Sequence, residues 1–461
     1  MESTRAYVCI LGDMSDDLSE TCDPSMGIDL LDQETLSLIL GNLTTKECSL
    51  VACVRKTWRD FVEGHPMWRD LLLARYGQEV PIAPKPMPST QSENVSSFKE
   101  AFIAWETEYG GYGEFFARGW RCWSLLESWT QAHFEPVFQS LGEGASEAQL
   151  DTVERALKVT LPRAMRMMYR VHDGQNLAID RTTRKDESIY HGLFGGYRFY
   201  NHLVCVRLLP LKLVEEITNM CRQQQYLTTE SKIVIAACKT LRKLFILDTA
   251  DGKVYAACME RQLLQASPSS TNGDGLLSWM EAYAANLVSG KYEIAKLIEE
   301  DDNSRTIVLY PRCGEGTSVA VTQGVKIEAG AVLIPERSTP PNFFFSYSIR
   351  FSLTSVEEQR AETGETSEVL ESTQLVTRHW VITDGENGKD EVRGEAVIGE
   401  YPLLRPGQPP FIYQSCTSMS AVPGVMEGDF RFVRGTIEDP YGDPFDAMCA
   451  PFALAAPDAL F

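Results

Sequence analysis

Two breaks in the chain limit what it can fold into. Between Pro81 and Pro88 four prolines fall within eight residues, and the polar run Ser89 to Ser97 follows. Proline fixes φ and removes a backbone donor, so this stretch reads as an extended linker. The second break is Glu299-Glu300-Asp301-Asp302-Asn303-Ser304, where the helical pattern of Tyr283 to Ile298 gives way to the alternation of Thr306-Ile307-Val308-Leu309. A chain of 461 residues exceeds one ordinary core. It therefore divides into an all-α module, an α+β module and an all-β module, with no internal repeat.

In the first module Leu36, Ile39, Leu40 and Leu43 fall on one face of a helix within Asp32 to Leu43. Thr44-Thr45-Lys46-Glu47 has the form of a capping box, and Leu50, Val54, Trp58 and Phe61 continue a second helix after it. His65-Pro66 opens a third with Trp68, Leu71, Leu72 and Tyr76 on its apolar face, and Gly77 stops it. Three short helices make a small core, so an apolar face left over for a partner is physically sensible.

The second module begins with an aromatic stretch containing Trp120, Trp123 and Trp129. Ser146-Glu147-Ala148-Gln149 caps a helix whose face is Leu150, Val153 and Leu157. Leu161-Pro162 opens another, with Met165, Met168 and Tyr169 as core residues and Asp173-Gly174 as its end. The β-branched runs Lys232 to Ala236 and Leu244 to Leu247 read as strands, and a helix over Leu276 to Ser289 closes the unit. In the third module short alternating strands lie at Val319 to Val321, Phe343 to Phe351, His379 to Thr383, Phe411 to Tyr413 and Asp429 to Val433. Gly and Pro turns separate them, the pattern of an antiparallel sandwich. Ser355 to Ser372, rich in Glu, Thr and Ser, reads as a solvated loop between two of them.

Composition narrows the function classes. Hydrophobic residues at 44% and charged residues at 23% suit a chain that buries cores. A net charge of -21 repels a phosphate backbone, so no nucleic-acid partner is expected. There is no long apolar run and no basic-then-apolar start, hence no expected membrane span or signal peptide. Twelve cysteines without a C-x-x-C pair read as reduced thiols, which places the chain in the cytoplasm and/or nucleus. Six dispersed histidines give no zinc-binding helix face, so neither metal nor cofactor is expected. His379 has no nucleophile elbow to serve, and Asp384 and Glu386 read as turn residues rather than an acid-base pair. No catalytic residue is assigned.

Three resemblances fit these modules. Leu31-Asp32-Gln33-Glu34-Thr35-Leu36, Ile39-Leu40, Leu43, Val51, Val54, Lys56, Trp58 and Trp68 resemble an F-box over residues 29–77, with Asp32 where the family usually has proline. The resemblance implies binding to a Skp-family adaptor, and through it a cullin, by Leu31, Glu34, Leu36, Ile39, Leu40, Val54 and Trp58. The phrase Leu161 to Gly174 resembles the SUKH fold, over residues 114–298, with residues 78–113 as linker and connecting helix and 1–28 as a tail. The segments Asn342 to Arg350, Arg378 to Asp384, Glu391 to Glu400, Pro402 to Gly407, Gly424 to Gly428 and Pro451-Phe452 are similar to the ApaG domain, over residues 304–461.

The ApaG family often shows G-x-G-x-x-G at the positions of Gly394 to Gly399, but Ala396 stands in the middle here and no helix is expected to follow. Glycines for turns account for the segment. F-box, SUKH-like and ApaG-like modules in this order resemble a family of F-box proteins of plants and animals, nearer the plant members, which lack an acidic C-terminal tail. The family implies a non-catalytic adaptor that recruits an unidentified protein substrate to a Skp-cullin-F-box (SCF) ubiquitin ligase. The alternatives are a phosphate-ligand sensor or enzyme built on the ApaG-like domain, and an F-box scaffold acting outside ubiquitin transfer.

Overall fold

A computed structural model of the chain describes residues 33–41, 43, 45–54, 56–84, 95–176, 187–363, 369–386 and 388–461. It consists of two compact units, Met1–Gly111 and Tyr112–Phe461.

The first unit is helical. Helix α1 is Gln33–Gly41, α2 is Thr45–Ala52, α3 is Lys56–Gly64 and α4 is Met67–Tyr76. The single second helix expected from Leu50 to Phe61 is two, because the end of α2 tightens into three-residue bonds. Cys53 N–H donates to Leu50 O and Val54 N–H to Val51 O. Gly77 ends α4 in the left-handed region, φ 68°, and its N–H donates to Leu73 O. Helix α5, Phe98–Tyr109, is capped by Ser97 and packs on α4: the ring centroids of Trp68 and Phe102 lie 5.5 Å apart, as do those of Tyr76 and Trp105. Trp105 Nε1 donates to Ile82 O at 2.9 Å, so the start of the expected linker is pinned to this helix, which falls within the stretch read as linker and connecting helix.

The second unit opens with α6 (Glu114–His133), α7 (Glu135–Gln139), α8 (Glu147–Leu157) and α9 (Arg163–Val171). The reciprocal capping box at Ser146 and Gln149 forms as its spacing predicts. Met165, Met168 and Tyr169 are fully buried, and Trp123 Nε1 donates to Met168 O at 2.9 Å. Gly174 then turns the chain at φ 62°, where a Cβ would lie 2.4 Å from Pro210 N. Around α10 (Leu211–Gln223) and α11 (Gly275–Val288) an eight-stranded sheet forms from β1 (Gly196–Phe199), β2 (His202–Leu208), β3 (Lys232–Cys238), β4 (Leu244–Asp248), β5 (Lys253–Ala257), β6 (Leu263–Gln265), β7 (Glu293–Lys296) and β8 (Arg305–Val308). Its order is β6-β5-β4-β3-β2-β1-β8-β7.

Two expectations change here. The helix drawn from Tyr283 to Ile298 stops at Val288, because Gly290 takes φ 74°, and Glu293–Lys296 is strand. The third module was expected to begin at Ser304, yet β8 lies inside the eight-stranded sheet between β1 and β7. The acidic residues at 299–302 mark a loop within a sheet, not the end of a core.

Beyond it come β9 (Thr317–Thr322), β10 (Val325–Leu333), β11 (Phe343–Leu353), α12 (Val356–Thr363), β12 (Thr373–Thr383), β13 (Lys389–Glu395), β14 (Leu403–Leu404), β15 (Phe411–Met419), β16 (Gly424–Arg434) and β17 (Phe445–Leu454). One antiparallel sheet runs β15-β11-β10-β9 and the other β13-β12-β16-β17, with β14 also on β12. Aromatic rings fill the space between them, Phe351 against Phe430 and Tyr347 against Trp380. The solvated loop expected from Ser355 to Ser372 contains α12, which is held because buried Gln359 bonds Thr354 O and Leu370 on either side. After β17 the chain returns to the eight-stranded half. Leu460 O accepts from Trp279 Nε1 at 2.6 Å, the Phe461 ring stacks on Trp279, and the wholly buried Lys243 donates to Phe461 O. Buried residues from Cys122 to Phe461 thus form one continuous core.

Candidate functional site

Two regions carry chemistry of recognition, one in each unit. In the first unit, the helices place the predicted adaptor-binding residues differently. Leu31 lies outside the described residues, and the structure describes only the helical backbone at Leu36. Leu40 is 2% exposed and belongs to the core beneath α1, where its carbonyl accepts from Cys48. Glu34 is exposed on α1, and Trp58 is half-buried on α3. Ile39 is 44% exposed, and Val54, in the break between α2 and α3, is 63% exposed. Two further residues join them that the spacing did not single out as contacts, Leu38 at 67% and Leu50 at 61%. The break after α2 shifts the helical phase at Val54, so the spacing from Leu50 to Phe61 could not separate that residue from the core.

His65 fixes this unit from below. Its Nδ1 accepts the Met67 N–H at 3.1 Å at the head of α4, so Nε2 carries the proton and donates to Ser37 Oγ at 2.5 Å. Burial holds its pKa below the usual 6.5, against the smaller opposing pull of Asp70.

In the second unit a groove of about 1380 Å³ opens where the two sheets of the sandwich part. Every residue from Phe411 to Thr417 lines it, with Tyr347, Trp380 and Val392 on its floor and wall. Gly394 to Gly399 form the turn at its rim. Ala396, Ile398 and Gly399 take φ values of 58°, 46° and 83°, Val397 and Glu400 bond each other, and the chain runs on to β14 without a helix. Arg378 donates to the carbonyls of Glu395 and Ala396, which holds the turn shut on its strand.

His379 sits on β12 opposite Asp429 of β16, Nδ1 to Oδ2 at 2.8 Å. Among the described residues no hydroxyl or thiol is hydrogen-bonded to it. Asp384 is a turn residue, accepting the N–H groups of Glu386 and Gly388 and the Ser420 hydroxyl. Hydrogen bonds, first that of Ser420, hold its carboxyl below the ordinary range. No cluster of three metal-ligating side chains and no helix able to cross a membrane occur among the described residues.

Comparison with known proteins places the chain. F-box protein SKIP16 of Arabidopsis thaliana is 33% identical over 455 residues, 95% of this chain and 100% of the relative. The chain belongs to this F-box protein family. F-box only protein 3 of Homo sapiens is 26% identical over 423 residues, 90% of this chain and 80% of the relative. Protein ApaG of Anaeromyxobacter dehalogenans is 38% identical over 143 residues, 31% of this chain and 98% of the relative. The ApaG domain family model matches residues 335–434, which takes in β11 to β16 of the sandwich. The groove of this F-box protein is therefore built largely from its ApaG domain, while Leu38, Ile39, Leu50 and Val54 belong to its helical unit.

Proposed function

We propose that the chain is the substrate-recruiting, non-catalytic subunit of a Skp-cullin-F-box ubiquitin ligase, working in the cytoplasm and/or nucleus. The observation that carries this reading is the exposure of Leu38, Ile39 and Leu50 on the first two helices of the helical unit and of Val54 just after them. Covering a residue of this kind is worth about 1.5–3 kcal/mol when complete, so four left in water on a small unit favour a partner. That partner is a Skp-family adaptor, which brings the cullin. The middle region, with its helix pair, the first capped by Ser146, and its antiparallel strands, is proposed to be a SUKH-like binding module serving the same task.

The adaptor contact divides between surface and support. Leu31, Glu34, Leu36, Ile39, Val54 and Trp58 are proposed to meet the adaptor, and Leu40 to hold α1 in place behind them. Replacing Ile39 and Val54 together by alanine is expected to weaken adaptor binding by about a thousandfold, since central apolar anchors cost on the order of 2 kcal/mol or more each. Both are exposed, so the fold should be unaffected. Co-purification with the adaptor and ubiquitylation of captured proteins are the measurements, and undiminished co-purification would sink the reading.

A further inference from the structure

Sandwich edges are usually guarded, and the two edges that line the groove are guarded differently. Strand β13 carries Lys389, Asp390, Glu391, Arg393 and Glu395, the charges with which natural proteins discourage strand addition. Strand β15 reads Phe-Ile-Tyr-Gln-Ser-Cys-Thr-Ser-Met, with no charge and no proline. Its register against β11 runs unbroken from Phe343↔Met419 to Phe351↔Phe411, without a bulge. Its other edge pairs with no strand among the described residues.

The groove follows that edge. Successive side chains of a strand point to opposite faces, so a cleft lined by seven consecutive residues of β15 must run along the unpaired backbone and not over one face. At about 1380 Å³ it exceeds the roughly 300–1,000 Å³ typical of small-molecule sites. The opposite end of the sandwich is shut: Ser318 Oγ donates to Ala450 O and Met448 N–H to Thr322 Oγ1, tying β9 to β17. Inside the groove lies an aromatic floor that includes Trp380, 2% exposed, whose indole N–H beside the Tyr413 hydroxyl has no aligned acceptor. On the outer side the exposed Glu299 and Glu300 line it.

We propose that β15 binds an extended segment of the recruited protein as an added strand, with alternate side chains apolar toward Tyr347 and Tyr413 and the others not acidic. That the bound protein is one the chain recruits rests on the adaptor reading; the strand addition itself does not. Main-chain bonds to the free edge would supply affinity, and the aromatic floor would supply selectivity.

The test selects random peptides of about twelve residues, displayed on phage, against the full chain, and then measures the affinity of an enriched peptide in solution. An added strand uses every second amide, so N-methylation of one alternating set should weaken binding at least about tenfold while the other set leaves it intact. Ile412→Lys puts a guarding charge on the edge at a residue 36% exposed, and should cost a similar factor with unchanged thermal unfolding. Failure of any peptide to enrich, equal tolerance of both methylated sets, or full affinity for a folded Ile412→Lys would each overturn the proposal. If that variant unfolds, the methylated sets decide alone. Adaptor co-purification is read separately, so loss of one reading leaves the other standing.

Discussion

His65 joins α1 to α4 through both ring nitrogens, and only a neutral ring can accept the Met67 amide. Its pKa is held below 6.5 by burial, so the folded chain binds fewer protons there than the unfolded chain. The stability it contributes is complete above pH 6.5 and is lost as pH falls toward the folded-state pKa. Hydrogen-exchange protection of Met67–Tyr76, corrected for intrinsic rate, should therefore drop between about pH 7 and about pH 5.5. His65→Gln should be less protected at neutral pH and indifferent to this change. Protection in the wild type that ignored pH would show the ring to be a bystander.

At the scale of elements, the junction after α9 is the least forgiving. Gly174 needs a left-handed φ and also lies against the backbone of Leu209 and Pro210, which cannot swing away as a side chain could. Gly174→Ala is expected to cost about 3 kcal/mol or more, read as a lowered unfolding temperature of the second unit; a loss below about 1 kcal/mol would mean that the backbone yields. The Asp173-Gly174 stop was legible in the sequence because αL glycine has a local cause. So were the Ser146 capping box, the Met165 and Met168 core and the five sandwich strands, all fixed by spacing within a few residues. What escaped depended on distant partners. Glu293–Lys296 is strand because β8 pairs with it, and α12 persists because Gln359 reaches Leu370. The site divided likewise: sequence marked Ile39 and Val54, but not that Leu40 faces inward or that β15 ends its sheet.

For the molecule as a whole, the two halves of the second unit share one core. A fragment of residues 304–461 would carry β8 without its neighbours β1 and β7, and a tail whose Leu460 and Phe461 have lost Trp279, Tyr283 and Lys243. It is expected to unfold without a cooperative transition, whereas residues 112–461 should melt cooperatively; calorimetry on the two separates the cases. Cooperative melting of the shorter piece would show the sandwich to be self-sufficient.

The buried tail also sets a clock on synthesis. Lys243 meets Phe461 across 218 positions of sequence, and Trp279 meets Leu460 across 181. At about 5–20 residues per second, a ribosome needs roughly 10–40 s to make the partner that Lys243 waits for. Until then the eight-stranded half has an ammonium and an indole facing an unfilled place, and its sheet lacks β7 and β8 for part of that time. Folding of this half thus cannot be completed in the order in which it is made. A ribosome that stops before Leu460 leaves that earlier half without the partners of Trp279 and Lys243.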